Sequence, residues 1–255
     1  MHKPPVFYAL IQVKFNPVQM ERFVPEFREA LRKGYPDYDR EEQVELRFSK
    51  NPSASRSPEP HPRSLWHFLD MTRTEGFTLL DDALVYHTNC YDCFSHCRNE
   101  ALTALRLLHE LAGLAYVDRV GMRYLNAITS IDDGPLSALV KPALLGLHAE
   151  LQGNLEHSFS ETSKIVEGGR LVLRALVNER GLAIPPDLHN QTLNLSEDLM
   201  SYQGPIVMMD TDYFVESRYA FDLDVIEKQF EMSHSILIDT FKAAVTEKAK
   251  SLWHL

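Results

Sequence analysis

Short apolar runs broken by Gly, Pro and Asn, with two long stretches of helical period, set out the elements of this chain. Val6–Phe15 is rich in β-branched and aromatic residues and predicts a buried first strand. Asn16-Pro17 has the form of a helix N-cap followed by proline, and Phe23, Phe27, Ala30 and Leu31 make an apolar stripe that Gly34 closes. Pro25 falls inside that stripe, so the helix either kinks there or begins near Val24 after one loose turn. Gln43–Phe48 alternates as a strand does. Asn51–Ser64, with Pro52, Pro58, Pro60 and Pro62, predicts a surface loop. Leu65–Thr72, Phe77–Leu80 and Leu84–His87 are short strand candidates, followed by a helix over Cys90–Ala112 that Gly113 stops. Tyr116–Ile128 predicts another strand, ended by the turn sequence Ile131-Asp-Asp-Gly-Pro135.

The second half opens with a predicted helix, Leu136–Gln152. Leu155–Val166 and Arg170–Asn178 flank Gly168-Gly169, the spacing of a two-residue hairpin. Gly181–Gly204 is polar and proline-containing, an irregular connection, and Pro205–Arg218 predicts a strand. Asp224 and Glu227 resemble a capping box opening a final helix of about 28 residues, with Ile226, Phe230, Leu237, Phe241, Ala244 and Val245 on one face. Each half therefore runs from antiparallel strands into a long amphipathic helix. The expected fold class is α+β, with two lobes of mainly antiparallel sheet, residues 1–130 and 131–255, each covered on one side by a helix. The competing arrangement is one continuous sheet. No residue-level repeat links the halves.

Composition narrows the function classes. Apolar residues make up 44% of the chain and charged residues 24%, the proportions of a soluble globular protein. Thirty-six acidic against twenty-six basic residues give a formal charge of −10, which opposes non-specific binding to nucleic acid. No apolar run reaches the roughly 18–20 residues that span a bilayer. The apolar N-terminal run is interrupted by Gln12 and Lys14 and reads as a strand rather than a signal peptide. An odd count of three cysteines gives no disulfide framework, so the expected compartment is the cytoplasm.

All three cysteines fall within His87-Thr-Asn-Cys90-Tyr-Asp-Cys93-Phe-Ser-His96-Cys97. Cys90 and Cys93 have the spacing of half a zinc knuckle, and His87 or His96 would have to complete a four-ligand set. Against this, Asn89 has the form of an N-cap, and Cys90, Cys93, Phe94, Cys97, Ala101, Ala104, Leu105 and Leu108 follow one helical stripe. The expectation is a core helix with Cys93 and Cys97 buried. A metal site built on Cys90, Cys93 and Cys97 is the alternative, and no cofactor is expected.

Other candidates lie on strands. Asp210 and Asp212 are two apart and face the same side, a spacing that can hold Mg²⁺ or simply decorate a solvent face. Arg119 and Arg123 flank Gly121 on one face of their strand, with Asn126 near its end. The arginines could clamp a carboxylate or phosphate, or pair with Asp210 and Asp212 across a sheet. These five residues are the candidate ligand-binding set. His234 beside Ser233 and Ser235 lacks any nucleophile signature. There is no Walker A sequence, no G-x-G-x-x-G and no H-E-x-x-H, and no catalytic residue is assigned.

Three segments together resemble a sporadically distributed family of uncharacterised bacterial proteins. They are Pro4-Pro5-Val6 leading to Phe15-Asn16-Pro17-Val18; the strand Arg119-Val-Gly-Met-Arg-Tyr124-Leu-Asn126-Ala-Ile128, with its Tyr-x-Asn-x-Ile element; and His234-Ser-Ile236 with Phe241, Thr246 and Trp253. The resemblance implies no established activity and transfers no catalytic residue. Patchy distribution implies an accessory role, such as phage defence or a toxin–antitoxin system. The leading expectation is an acidic cytoplasmic module that binds another protein, as an antitoxin, inhibitor or defence component, with homodimerisation through a helix or sheet edge open. The alternative is a metal-dependent enzyme acting on a phosphate-containing substrate through Asp210, Asp212, Arg119 and Arg123.

Overall fold

The first apolar run forms β1 (Val6–Phe15), and a 3₁₀ turn (Met20–Arg22) precedes α1 (Val24–Leu31). Pro25 thus sits in the first turn of α1, where its missing N–H costs nothing, and the later start expected near Val24 is the one observed. This computed structural model describes residues 5–47, 59–130, 134–147, 150–185, 188 and 193–255. The turn expected at 131–135 lies mostly outside them.

A meander follows: β2 (Asp37–Arg47), β3 (Glu59–Leu69), β4 (Glu75–Leu80) and β5 (Ala83–Thr88). Part of the expected 51–64 loop is therefore strand, since β3 begins at Glu59. Pro60 and Pro62 are tolerated because that end of β3 pairs only with β2, β4 joining at Trp66. α2 (Phe94–Ala112) ends on Gly113 in the left-handed conformation, φ 62°. The long strand β6 (Tyr116–Thr129) comes next.

The helix expected over 136–152 is, in its described residues, instead a 3₁₀ turn (Leu136–Ala138) and the single-turn α3 (Pro142–Leu145), with residues 148–149 outside them. Long-range bonds capture this backbone: Thr246 N–H donates to the Leu139 carbonyl and Lys141 N–H to that of Ala244. β7 (His157–Val166) and β8 (Gly169–Asn178) form the expected hairpin, displaced by one residue. Its turn is Glu167-Gly168, both at positive φ (47° and 76°), as a tight hairpin turn requires. After the short α4 (Glu197–Ser201) come β9 (Ile206–Ala220), α5 (Leu223–Ala244) and α6 (Glu247–Trp253). The final helix is thus two: Val245 leaves helical geometry, and the Thr246 hydroxyl caps α6 by accepting from Ala249 N–H.

All nine strands pair antiparallel in one sheet, in the order β2-β3-β4-β5-β1-β6-β9-β8-β7. The same connection occurs twice. A central strand (β1, then β6) is followed by a meander running inward from the sheet's edge, then by a long helix (α2, then α5). The two repeated units meet edge to edge where β1 pairs with β6, and the sheet also runs unbroken across the division expected at residue 130, where β6 pairs with β9.

α1, α2 and α5 cover one face of the sheet. Ile11, Val13 and Phe15 of β1 pack there with Phe27, Leu105, Leu108 and Phe230. A second cluster on the same face joins Ile128, Val207 and Met209 to Phe241, Ala249 and Trp253. On the opposite face the described part of the connection before β9 covers only a small patch, with Leu193 against Leu125 and Met208. No helix among the described residues is long and apolar enough to cross a membrane.

The cap of α5 is Asp222, not Asp224: its side chain accepts from the N–H groups of Asp224 and Val225. Asp222→Ala is expected to lower stability by about 1 kcal/mol, whereas Asp224→Ala leaves it nearly unchanged. Urea denaturation of the two variants checks this.

Candidate functional site

The face opposite α1, α2 and α5 carries an open groove of about 650 Å³ lined from seven strands and by Leu188 of the connection before β9. Its floor includes Leu10 and Gln12 of β1, Val85 and His87 of β5, and Arg119, Gly121 and Arg123 of β6. Glu41, Gln43, Arg63, His67 and Thr78 stand on one side and Asp212 on the other. Gly121 keeps the floor low between the two arginines. A Cβ there would approach Phe214 Cβ to 3.3 Å.

The sequence-predicted residues divide between the two faces. Arg119, Arg123, Asp210 and Asp212 lie together on the groove face of adjacent strands, with Arg123 opposite Asp212 in register. Asn126 has the other parity and faces α5. Arg123 and Asp210 form a buried, two-pronged pair, Nε to Oδ1 at 2.7 Å and Nη2 to Oδ2 at 2.8 Å. Arg174 Nη1 adds a third bond to Asp210 Oδ2, at 3.2 Å, and its Nε reaches Glu161 at 2.7 Å. Both Asp210 oxygens are thus occupied by arginine. Burial raises the Asp212 carboxyl above the usual carboxylate range, with Arg123 and Arg119 opposing the shift. Among the described residues no three His, Cys, Asp or Glu side chains are grouped to hold a metal ion.

A row of polar side chains crosses the sheet strand by strand. His67 Nδ1 lies 3.0 Å from the Thr78 hydroxyl, which lies 3.5 Å from His87 Nε2, and His87 Nδ1 lies 3.1 Å from the Tyr8 hydroxyl. Glu41 extends the row on β2, 3.6 Å from His67 Nε2. On the far side of Tyr8, Arg123, Asp210, Arg174 and Glu161 continue it over β6, β9, β8 and β7. One residue from each of the nine strands takes part, in spatial order. Burial lowers the His67 pKa, partly offset by Glu41 and Asp39. Burial and then the neighbouring His67 bring His87 down to about 3, so the His87 ring is neutral at pH 7.

Among the described residues, two groove nitrogens make no hydrogen bond: His67 Nε2, which has only the longer 3.6 Å contact with Glu41, and Arg119 Nε. Arg119 otherwise bonds Gln12 Oε1 at 2.7 Å and stacks 4.1 Å over the Phe214 ring. Sequence reasoning missed Tyr8, His67 and Thr78 because only the pairing register brings them together. The available signal was a histidine inside each of two otherwise apolar strands.

The cysteines separate. Cys97 is buried on α2, its thiol pushed up to about 12 by burial, while Cys90 and Cys93 are exposed before the helix. The Cys93 thiol is lowered by its hydrogen bond with Ser95. Burial of Cys93, expected from the helical stripe, is corrected: α2 starts at Phe94, four residues later than the stripe implies. Asn89 does not cap it, because its side chain binds the Asn194 carbonyl and its N–H the Thr74 carbonyl. His96 stands at the helix margin and pairs with Glu75 at 2.8 Å.

No family model, no curated protein and no solved structure matches the chain.

Breaking the buried pair leaves Arg123 without this counter-ion, so Asp210→Leu is expected to cost about 3–5 kcal/mol. The double variant Asp210→Leu/Arg123→Met recovers most of that loss, as a double-mutant cycle in denaturant measures. His87 binds a proton more readily in the unfolded chain than in the folded one. Its contribution to stability is therefore full above about pH 6.5 and declines as the pH falls from there towards 3. His87→Gln should flatten stability over that window by up to about 1.4 kcal/mol per pH unit. Asp212, whose raised carboxyl acts in the opposite sense, is common to both proteins and cancels in the comparison.

Proposed function

We propose that the chain is a binding protein whose site is the groove on the sheet face opposite α1, α2 and α5, and that its ligand is another protein. The observation that carries this reading is the pair of unpartnered nitrogens, His67 Nε2 and Arg119 Nε, in a groove lined from seven strands. A buried polar nitrogen left unbonded is costly, and a groove is where an incoming group can supply the missing bond. Arg119 offers a cation held by Gln12 and Phe214 rather than by a carboxylate, so the matching group is an acidic or carboxamide side chain of the partner. Around it the chain is acidic, with net charge −10, which favours a partner whose flanking surface is basic. The division of labour is then one acidic anchor in the groove and basic residues at its rim. The three-segment resemblance noted above accords with an antitoxin, inhibitor or defence component acting in the cytoplasm. The Arg123 and Arg174 bonds to Asp210 weigh against a metal-dependent phosphate chemistry at this carboxylate pair.

The test is capture of the partner from the native host, followed by affinity measurement with the purified pair. Arg119→Glu is expected to weaken binding at least tenfold, while Arg32→Glu, at the exposed C-cap of α1, leaves it unchanged. Equal binding by wild type and Arg119→Glu, or turnover of a small substrate with no partner retained, would contradict the proposal.

A further inference from the structure

A second cavity, of about 230 Å³, lies on the opposite face of the sheet, beneath α5. It sits at the seam between the two core clusters: Tyr124 and Leu237 belong to one, Phe241 to the other, and neither fills the space. The strand floor presents Tyr124, Asn126 and Thr211, and half-buried Tyr91, Ile238 and Leu255 leave a mouth towards solvent.

Among the described residues, one fully buried polar atom of this lining has no hydrogen-bond partner. The Tyr124 hydroxyl and His234 Nδ1 lie 3.0 Å apart, and the His234 ring stacks on Phe94 with centroids 4.1 Å apart. The Thr211 hydroxyl donates to the Tyr124 carbonyl at 3.2 Å. Asn126 is 2% exposed, and its Oδ1 has no hydrogen-bond partner. A buried water typically makes about three hydrogen bonds, and one orphan acceptor among apolar walls is a poor site for it. An apolar cavity of about 150 Å³ accommodates a benzene ring, so this one has room for a single ring with a small substituent or for a compact fused ring.

We infer that the cavity binds a small aromatic molecule bearing one hydrogen-bond donor, of the phenol or indole type. The donor meets Asn126 Oδ1, and the ring packs among Tyr124, Leu237 and Phe241. The site is separate from the groove, because Asn126 and the arginines point to opposite faces of β6.

Isothermal titration of the full chain with indole, phenol and toluene tests this. Indole and phenol should bind saturably at one site and raise the melting temperature, and toluene, which fits but donates nothing, should bind at least tenfold more weakly. Asn126→Leu should abolish the preference for indole over toluene. Ile238→Trp, which fills the mouth from a half-buried position, should abolish binding of all three probes while leaving the circular dichroism unchanged. No saturable binding to the wild type would overturn the inference, as would toluene binding as tightly as indole. Binding that survives Ile238→Trp unaltered would place the ligand elsewhere and overturn it equally.

Discussion

One-sided cover is the constraint on which the rest of this structure depends. Three helices and their apolar stripes bury one face of the nine-stranded sheet, and most of the other face has no helix over it. That face cannot be uniformly apolar without exposing a large hydrophobic patch. The chain meets the constraint with the polar row from Glu41 to Glu161, which puts a hydrogen-bonding or charged group on each strand and joins them from β2 to β1 and from β6 to β7. The row has a cost, since Asp210 and Arg123 are buried ions that remain stable only while paired. The bonds left open beside it, at His67 and Arg119, are the basis of the proposal that this face meets another molecule.

Much of the architecture was legible from the sequence, because local period and burial coincide there. β1, the β7–β8 hairpin, the α2 stripe from Cys97 to Leu108 and the α5 stripe from Ile226 to Phe241 follow patterns that tertiary contacts reinforce. The helix ends were less legible because competing bonds decide them. The Phe221 N–H is held by the Ala115 carbonyl, so the helix is free to begin at the next residue, and Asp222 caps it in place of Asp224. Asn89 looks like a cap in isolation but is engaged by Asn194 and Thr74. Residues 136–152 carry a helical pattern, yet Pro142, Gly146 and the bonds to Ala244 and Thr246 divide it.

The candidate site was legible in part, for a reason that lies in strand geometry. Arg119 with Arg123, and Asp210 with Asp212, could be grouped because alternate residues share a face, and that grouping survives folding. Asn126 belongs to the other parity, and its place beneath α5 follows from the same rule. The pairing of β6 with β9, and of β3, β4 and β5 with one another, is set by contacts far apart in sequence. No local pattern carries that register, so the Tyr8–His87–Thr78–His67 part of the row was hidden. The cysteine run misleads for a similar reason: its helical period is real, but two of its three sulfurs precede the helix.

The central claim is that the partner sits on the sheet face opposite α1, α2 and α5. Hydroxyl-radical footprinting of the chain, alone and in its purified complex, tests it most directly. The half-buried groove side chains Leu10, Leu65, Val85 and Leu188 should lose labelling in the complex, while exposed Val225 on α5 stays unchanged. Protection of Val225 with the four groove residues labelled as before would place the interface on the helical face and contradict the account.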